Sequence, residues 1–145
     1  MTIHPESAAA DLSRSTVRGA MQLGLFQCEP ADDVRVVART MAERSVHSVV
    51  VGGIQRRDHS GEYLTWGIVS DLDLVRALAS GDPAVTAGQM AGSAIVAISP
   101  RDTLEQATRL MADYDMTHLI VVSPETGKPV GMLSTLDIAR AVDGP

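Results

Sequence analysis

Cysteine is nearly absent: Cys28 is the only one in 145 residues. No intramolecular disulfide can therefore form, the tetrahedral cysteine zinc sites are excluded, and a reducing cytoplasm is the simplest home. Aromatic residues make up 3% of the chain, against 45% for the hydrophobic set. A core has to be packed from Val, Ile, Leu, Ala and Met, which suits a compact α/β domain. No apolar run approaches the roughly 20 residues that span a bilayer, and Met1 to Ser15 lacks the apolar centre of a secretory signal, so membrane insertion is not expected. Basic clusters are missing as well. The net charge is −6 with a pI near 5.0, and the densest basic spot is the dipeptide Arg56-Arg57. That is too little to neutralise a phosphate backbone, so duplex nucleic acid is excluded as the main partner.

What the chain does have is a repeat. The segment Pro30 to Ala42 lies over Pro100 to Ala112, 70 residues on, and Gly67 to Leu74 lies over Gly131 to Ile138, 64 residues on. The first copy thus carries six extra residues, and they fall in the Gly-rich polar stretch Gly52 to Glu62, which reads as a long hairpin loop with a turn at Gly52-Gly53. In the second copy Ser123 to Pro129 makes the same connection. Val34, Val37, Ala38, Met41 and Ala42 recur at helical spacing, as do Leu104, Ala107, Thr108, Met111 and Ala112, which predicts two amphipathic helices. Asp32 and Asp102 stand ahead of them as N-caps.

β-rich runs follow at Ser48 to Val51 and Leu119 to Val122, then at Tyr63 to Val69 and Val130 to Leu133, before closing helices over Asp71 to Ala79 and Thr135 to Val142. Short first strands are expected at Leu25 to Cys28 and Ile95 to Ile98. The chain divides into an N-terminal arm over 1–15, disordered or a short helix, a first repeat over 16–80 and a second over 81–145. Neither repeat is large enough to be stable alone, so the two are expected to pack with pseudo-twofold symmetry into one α/β (α+β) domain of two β-α-β-β-α repeats.

Ahead of each closing helix stands glycine, hydrophobic, any, serine, any, any, aspartate: Gly67-Ile-Val-Ser70-Asp-Leu-Asp73 and Gly131-Met-Leu-Ser134-Thr-Leu-Asp137. In this the chain resembles the CBS domain (Bateman module) family, whose β-α-β-β-α motif occurs in tandem. Thr16 to Met21 and Val85 to Met90 are similar to the family's lead-in segment, and Met116-Thr117-His118 and Val46-His47 to its middle strand and approach. The chain departs from many members at Val50 and Ile120, where proline is common, and at Gly19 and Gly88, where an acidic residue is common.

The resemblance implies ribose hydroxyls on Asp73 and Asp137 and phosphate near Ser70 and Ser134. The chemistry agrees, since a carboxylate accepts well from a diol and free amides at a helix N-terminus attract anions. The same spacing is also a capping box, a role that either residue pair can hold at the same time. Asp71 adds a second negative charge to the first site where Thr135 stands in the second, so Ser134 and Asp137 suit a polyphosphate better. His47, Thr117 and His118 are candidate phosphate contacts, Thr16 a lead-in contact, and the backbone around Gln27 and Ala97 the adenine contact. The methionines and Cys28 read as core rather than as a soft-metal box or a nucleophile.

The resemblance implies a non-catalytic regulatory sensor. It would bind an adenosine-containing ligand (AMP, ADP, ATP or S-adenosylmethionine-like) in clefts between the repeats, with no required cofactor and no metal. A lone sensor has to act through another chain, such as a partner enzyme or transporter. A homodimer is expected through the closing helices (Leu74, Leu78, Ile138, Val142). The alternative is a ligand-free dimerisation or docking module. A small hydrolase built on His47 or His118 lacks any spacing that requires a base and an orienting group in one pocket.

Overall fold

The computed structural model describes residues 5–143. The first four residues of the expected arm and the last two of the second repeat lie outside the described residues. The elements are α1 (Pro5–Arg14), α2 (Val17–Ala20), β1 (Gln22–Leu23), β2 (Gln27–Cys28), α3 (Val34–Arg44), β3 (Ser48–Arg57), β4 (Tyr63–Ser70), α4 (Asp71–Ser80), α5 (Ala87–Met90), β5 (Ala97–Ile98), α6 (Leu104–Tyr114), β6 (His118–Val122), β7 (Pro129–Ser134) and α7 (Thr135–Asp143). This is the expected mixture of helix and sheet in tandem repeats. Residues 5–14 of the arm form a helix whose Leu12 packs on a core.

The chain forms two compact units. One runs from Leu25 to Ile95, with the sheet order β2-β3-β4. The other joins the chain up to Gly24 with Val96 onward, and its sheet runs β1-β7-β6-β5. Each unit has the same wiring: a parallel first pair (β2 with β3, β5 with β6) and an antiparallel hairpin (β3 with β4, β6 with β7). A repeat and a packed unit are therefore different things. The first copy's lead-in α2 sits in the unit of the second copy, bonding Val17 N–H to the Asp102 carbonyl and Arg18 N–H to that of Pro100. The second copy's α5 sits in the unit of the first, bonding Ala87 N–H to Asp32 and Gly88 N–H to Pro30. These bonds set the lead-in register at 70 residues, Thr16 over Thr86, one residue from the Thr16-over-Val85 pairing suggested by the sequence.

Helices α3 and α6 form where the periodicity puts them, but their caps differ from expectation. Asp33 caps α3 by accepting from Val36 N–H, and Thr103 with Gln106 makes a capping box on α6. Asp32 and Asp102 instead accept from Glu29 N–H and Ser99 N–H, folding the turn at each proline. Both helices end on a left-handed non-glycine residue, Ser45 and Asp115. Val37 and Met41 on α3 pack against Val49, Val51 and Val69, and Leu104, Ala107 and Met111 on α6 against Leu119, Val121 and Leu133. A fully buried Val or Leu contributes roughly 1.5–3 kcal/mol by leaving water, so these clusters hold the sheets that carry the site.

The six extra residues do not form a long loop. Strand β3 continues to Arg57, and its register against β4 slips between Gly52 and Arg56. Gly53, at φ +73°, sits in that bulge rather than in a hairpin turn; only glycine takes this conformation without strain. Arg56 extends from the bulged strand to the carbonyls of Ala91 and Gly88 and ends α5 there.

Candidate functional site

Strands β4 and β7 each deliver a serine to the start of the closing helix. Ser70, in extended conformation, is the N-cap of α4: its hydroxyl accepts from Asp73 N–H at 3.1 Å, and Asp73 Oδ2 accepts from Ser70 N–H at 2.9 Å. At α7 the Ser134 hydroxyl accepts from Asp137 N–H at 3.2 Å, and Asp137 Oδ2 accepts from Ser134 N–H at 2.8 Å. The capping reading thus holds at both positions. It also places a hydroxyl and a carboxylate together at a helix N-terminus, a combination able to take an anion with a neighbouring diol, although the α4 first-turn amides of Asp71, Leu72 and Asp73 are already bonded, to the His47 carbonyl, Asp71 Oδ1 and Ser70 Oγ.

The two positions differ in what else reaches the carboxylate. Asp137 is buried, with 2% of its side chain exposed. Its Oδ1 accepts from Gln22 Nε2 at 3.1 Å and lies 3.5 Å from the Arg140 guanidinium. Asp73 is half-buried, and its Oδ2 takes the Ser93 hydroxyl at 2.5 Å. Ser93 also lies 3.0 Å from Ser70 Oγ. With its single proton on Asp73, Ser93 accepts from Ser70. Neither Gln22 nor Ser93 was visible as a site residue in the sequence, because each reaches its carboxylate from just past a lead-in segment, 115 and 20 residues away along the chain.

His47 and Asp71 form an exposed pair, Nδ1 to Oδ2 at 3.0 Å, and the His47 carbonyl accepts from Asp71 N–H. In the other unit the Thr117 carbonyl accepts from Thr135 N–H, so Thr117 is the counterpart of His47. His118 aligns with Ser48: it faces Ser134 across the ladder, as Ser48 faces Ser70, and its Nδ1 lies 2.9 Å from the Thr117 hydroxyl. His118, Thr117, Ser134 and Asp137 thus share one end of the β6–β7 pair, and His47, Ser70, Asp71 and Asp73 that of β3–β4. The remaining candidates lie on other elements. Ala97 pairs with Ile120 and Gln27 with Val50 on the first strands. Thr16 starts α2 without a side-chain capping bond and bridges to Thr103.

Burial pushes the Cys28 thiol above its ordinary value, against the pull of its hydrogen bond with Thr40. Met41, Met90 and Met111 are buried in the cores. Among the described residues no group of three or more His, Cys, Asp or Glu could hold a metal ion, and no helix is long and apolar enough to cross a membrane. The apolar face of the closing helices agrees with expectation at Leu78, which is exposed, and differs at Leu74 and Ile138. Leu74 and Ile138 turn toward the cores, while Leu72, Val75, Leu78 and Leu136 are more than half exposed.

The CBS domain profile matches residues 17–80 and 87–144. Comparison with curated proteins gives no match. Among solved structures, Hypoxic Response Protein I with two coordinated zinc ions is 24% identical, with a TM-score of 0.66 over 87% of this chain and 98% of that one. CBSX2 in complex with AMP is 24% identical, with a TM-score of 0.65 over 88% and 95%. The cytosolic domain of the Mg2+ channel MgtE in complex with ATP is 25% identical, with a TM-score of 0.67 over 92% of this chain and 51% of that one.

Proposed function

The chain belongs to the CBS domain family, and from that premise we propose that it is a regulatory module binding an adenine nucleotide at the N-terminal ends of α4 and α7. The observation that carries this reading is the twofold occurrence, at matched places, of a serine hydroxyl and a carboxylate on the first turn of the closing helix. Phosphate would lie at the Ser70 and Ser134 hydroxyls, at helix N-termini where the dipole favours negative charge. Ribose would donate to Asp73 and Asp137. Thr117 and His118 stand beside Ser134 as phosphate contacts, with His47 in the corresponding place in the first copy, Thr16 at the lead-in, and the backbone of Gln27 and Ala97 for the adenine ring.

Local charge favours the second position for a polyphosphate. Asp71 and Asp73 are both in the first turn of α4, whereas Asp137 has Arg140 beside it and Thr135 in place of Asp71. The AMP and ATP complexes of CBSX2 and MgtE support the ligand class. Binding energy would go into a shift between two shapes or association states, since a ligand moves an equilibrium only by its difference in affinity for the two. A homodimer formed through the closing helices is part of this reading, and a partner enzyme or transporter would receive the signal in a cytoplasmic setting.

A second reading, a docking module without ligand, is favoured by the exposed Leu72, Val75 and Leu78 on α4 and by carboxylates already supplied with donors. A thermal-shift panel of AMP, ADP, ATP and S-adenosylmethionine decides between the two. A ligand at 100 times its dissociation constant stabilises the native state by about 2.7 kcal/mol, so a selective upward shift is expected for an adenine nucleotide. No shift at millimolar concentration gives the docking reading.

A further inference from the structure

Resting on that reading, we propose that Gln22 and Ser93 are gates of unequal strength: Gln22 holds the ribose-accepting oxygen of Asp137 and has to release it before nucleotide binds, while Ser93 holds one oxygen of Asp73 and leaves the other open. Ser134 supplies both donors to Asp137 Oδ2, which leaves Oδ1 as the oxygen for a ribose hydroxyl. Gln22 Nε2 and the Arg140 guanidinium stand on that oxygen. The backbone of Gln22 is fixed, because β1 pairs with β7, Gln22 opposite Met132 and Leu23 opposite Gly131. Its side chain is exposed, so the amide can turn to water. Gln22 is therefore a movable arm on a fixed strand, and its amide donates as a ribose hydroxyl would.

In the other unit Ser93 does the same with a shorter arm. Its hydroxyl lies on Asp73 Oδ2, alongside Ser70 N–H, and Oδ1 of Asp73 accepts no bond among the described residues. The first position is thus half open and the second shut. Charge and gate act in opposite directions: the second position suits a polyphosphate better but needs Gln22 to leave. By the 70-residue register Gln22 corresponds to Gly92 and Ser93 to Leu23, so the two lead-in segments close their sites from adjacent places and the gates can be altered independently.

The test is calorimetric titration of the full chain with AMP and with ATP, for the parent, Gln22→Ala, Gln22→Met and Ser93→Ala, with melting measured with and without saturating nucleotide. Gln22→Met keeps the length and removes the donor, which separates loss of the bond from loss of bulk. A hydrogen bond to a charged acceptor carries enough net energy that its prior absence should tighten binding about tenfold. Both Gln22 variants are expected to bind about tenfold tighter and to melt lower than the parent only when ligand is absent. Ser93→Ala should give a smaller gain. A parent that is silent beside a Gln22→Met that binds also supports the gate. Unchanged affinity, with melting lowered equally in both states, makes Gln22 a structural brace and overturns the gate while the nucleotide reading stands. No binding by parent or variants overturns that reading and the gate with it.

Discussion

Replacing Asp137 by Asn keeps the shape of the side chain and inverts one of its two hydrogen-bonding ends. Every group around it is a donor: Ser134 N–H at 2.8 Å, the Ser134 hydroxyl at 3.0 Å, Gln22 Nε2 at 3.1 Å and the Arg140 guanidinium at 3.5 Å. The amide oxygen of Asn can serve one side only, so its NH2 must face donors on the other. Gln22 and Arg140 are exposed and can turn to water, which makes the orientation with oxygen on Ser134 the cheaper one. The two capping bonds then lose their charge assistance, about 1 kcal/mol each, Arg140 is left facing an NH2 in place of a carboxylate, and Gln22 has to turn its amide over so that Oε1 accepts from that NH2. The sum is about 2–3 kcal/mol. At Asp73 the outcome differs. The site is half-buried, and Ser93 can turn its proton away and accept from the new NH2, so Asp73→Asn should cost about 1 kcal/mol or less. Urea unfolding measures both. With a slope of about 2 kcal/mol/M, Asp137→Asn should lower the midpoint by about 1 M or more. Far-UV circular dichroism is the suitable probe, because the lone tryptophan, Trp66, belongs to the other unit. If Asp137→Asn costs no more than Asp73→Asn, the reasoning from donors and burial fails.

Three further outcomes follow from the same geometry. A Cβ on Gly131 would stand 2.6 Å from the Gln22 carbonyl oxygen, backbone that cannot yield without moving β1, whereas on Gly67 it would meet the tip of Ile54 at 2.7 Å. Gly131→Ala should therefore cost about 2–3 kcal/mol and Gly67→Ala about 1, and thermal melts giving the reverse order would contradict this. Burial raises the Asp58 carboxyl, but the Ser60 hydroxyl and the Ser60 and Glu62 amides outweigh it and hold it below the ordinary 3.8. The stability it gives the hairpin is present above 3.8 and lost as pH falls through the lower folded value, so the Ser60 and Glu62 amide resonances should titrate with a midpoint below 3.8, and a midpoint above it refutes the assignment. Cys28, buried with a raised thiol, should react with a thiolate-selective reagent at pH 8 about 100-fold slower in native protein than in urea; equal rates would mean that the strand opens readily.

The two offsets, the helices α3 and α6 and the closing helices were legible because each rests on periodicity within one segment. The caps were missed by one residue because Asp32-Asp33 and Asp102-Thr103 both offer two capping side chains in a row, and tertiary geometry assigns the first of each to the proline turn. The lead-in register slipped because Met21 and Met90 invite alignment, while the backbone bonds align Thr16 with Thr86. The Ser/Asp pairs could be named from the sequence, since capping is local. The residues that close them could not: Gln22 and Asp137 are 115 residues apart, and nothing near either one in sequence signals the other. On α4 the helical stripe was read with Leu74 outward, but the sheet that packs on it turns Leu74 inward and leaves Leu72 and Val75 in water.

The exchange of lead-in segments bears on how such a chain can be inherited. A gene carrying one repeat alone would encode a limb with no body to dock on and a body with no limb. Two identical copies could repair each other only by lending limbs across, a swapped dimer, and fusing them end to end makes that loan internal. Once fused, the halves are obliged to one another: deleting either copy removes part of both units, and only the stretch from Leu25 to Ile95 can be cut out of the gene as an unbroken body.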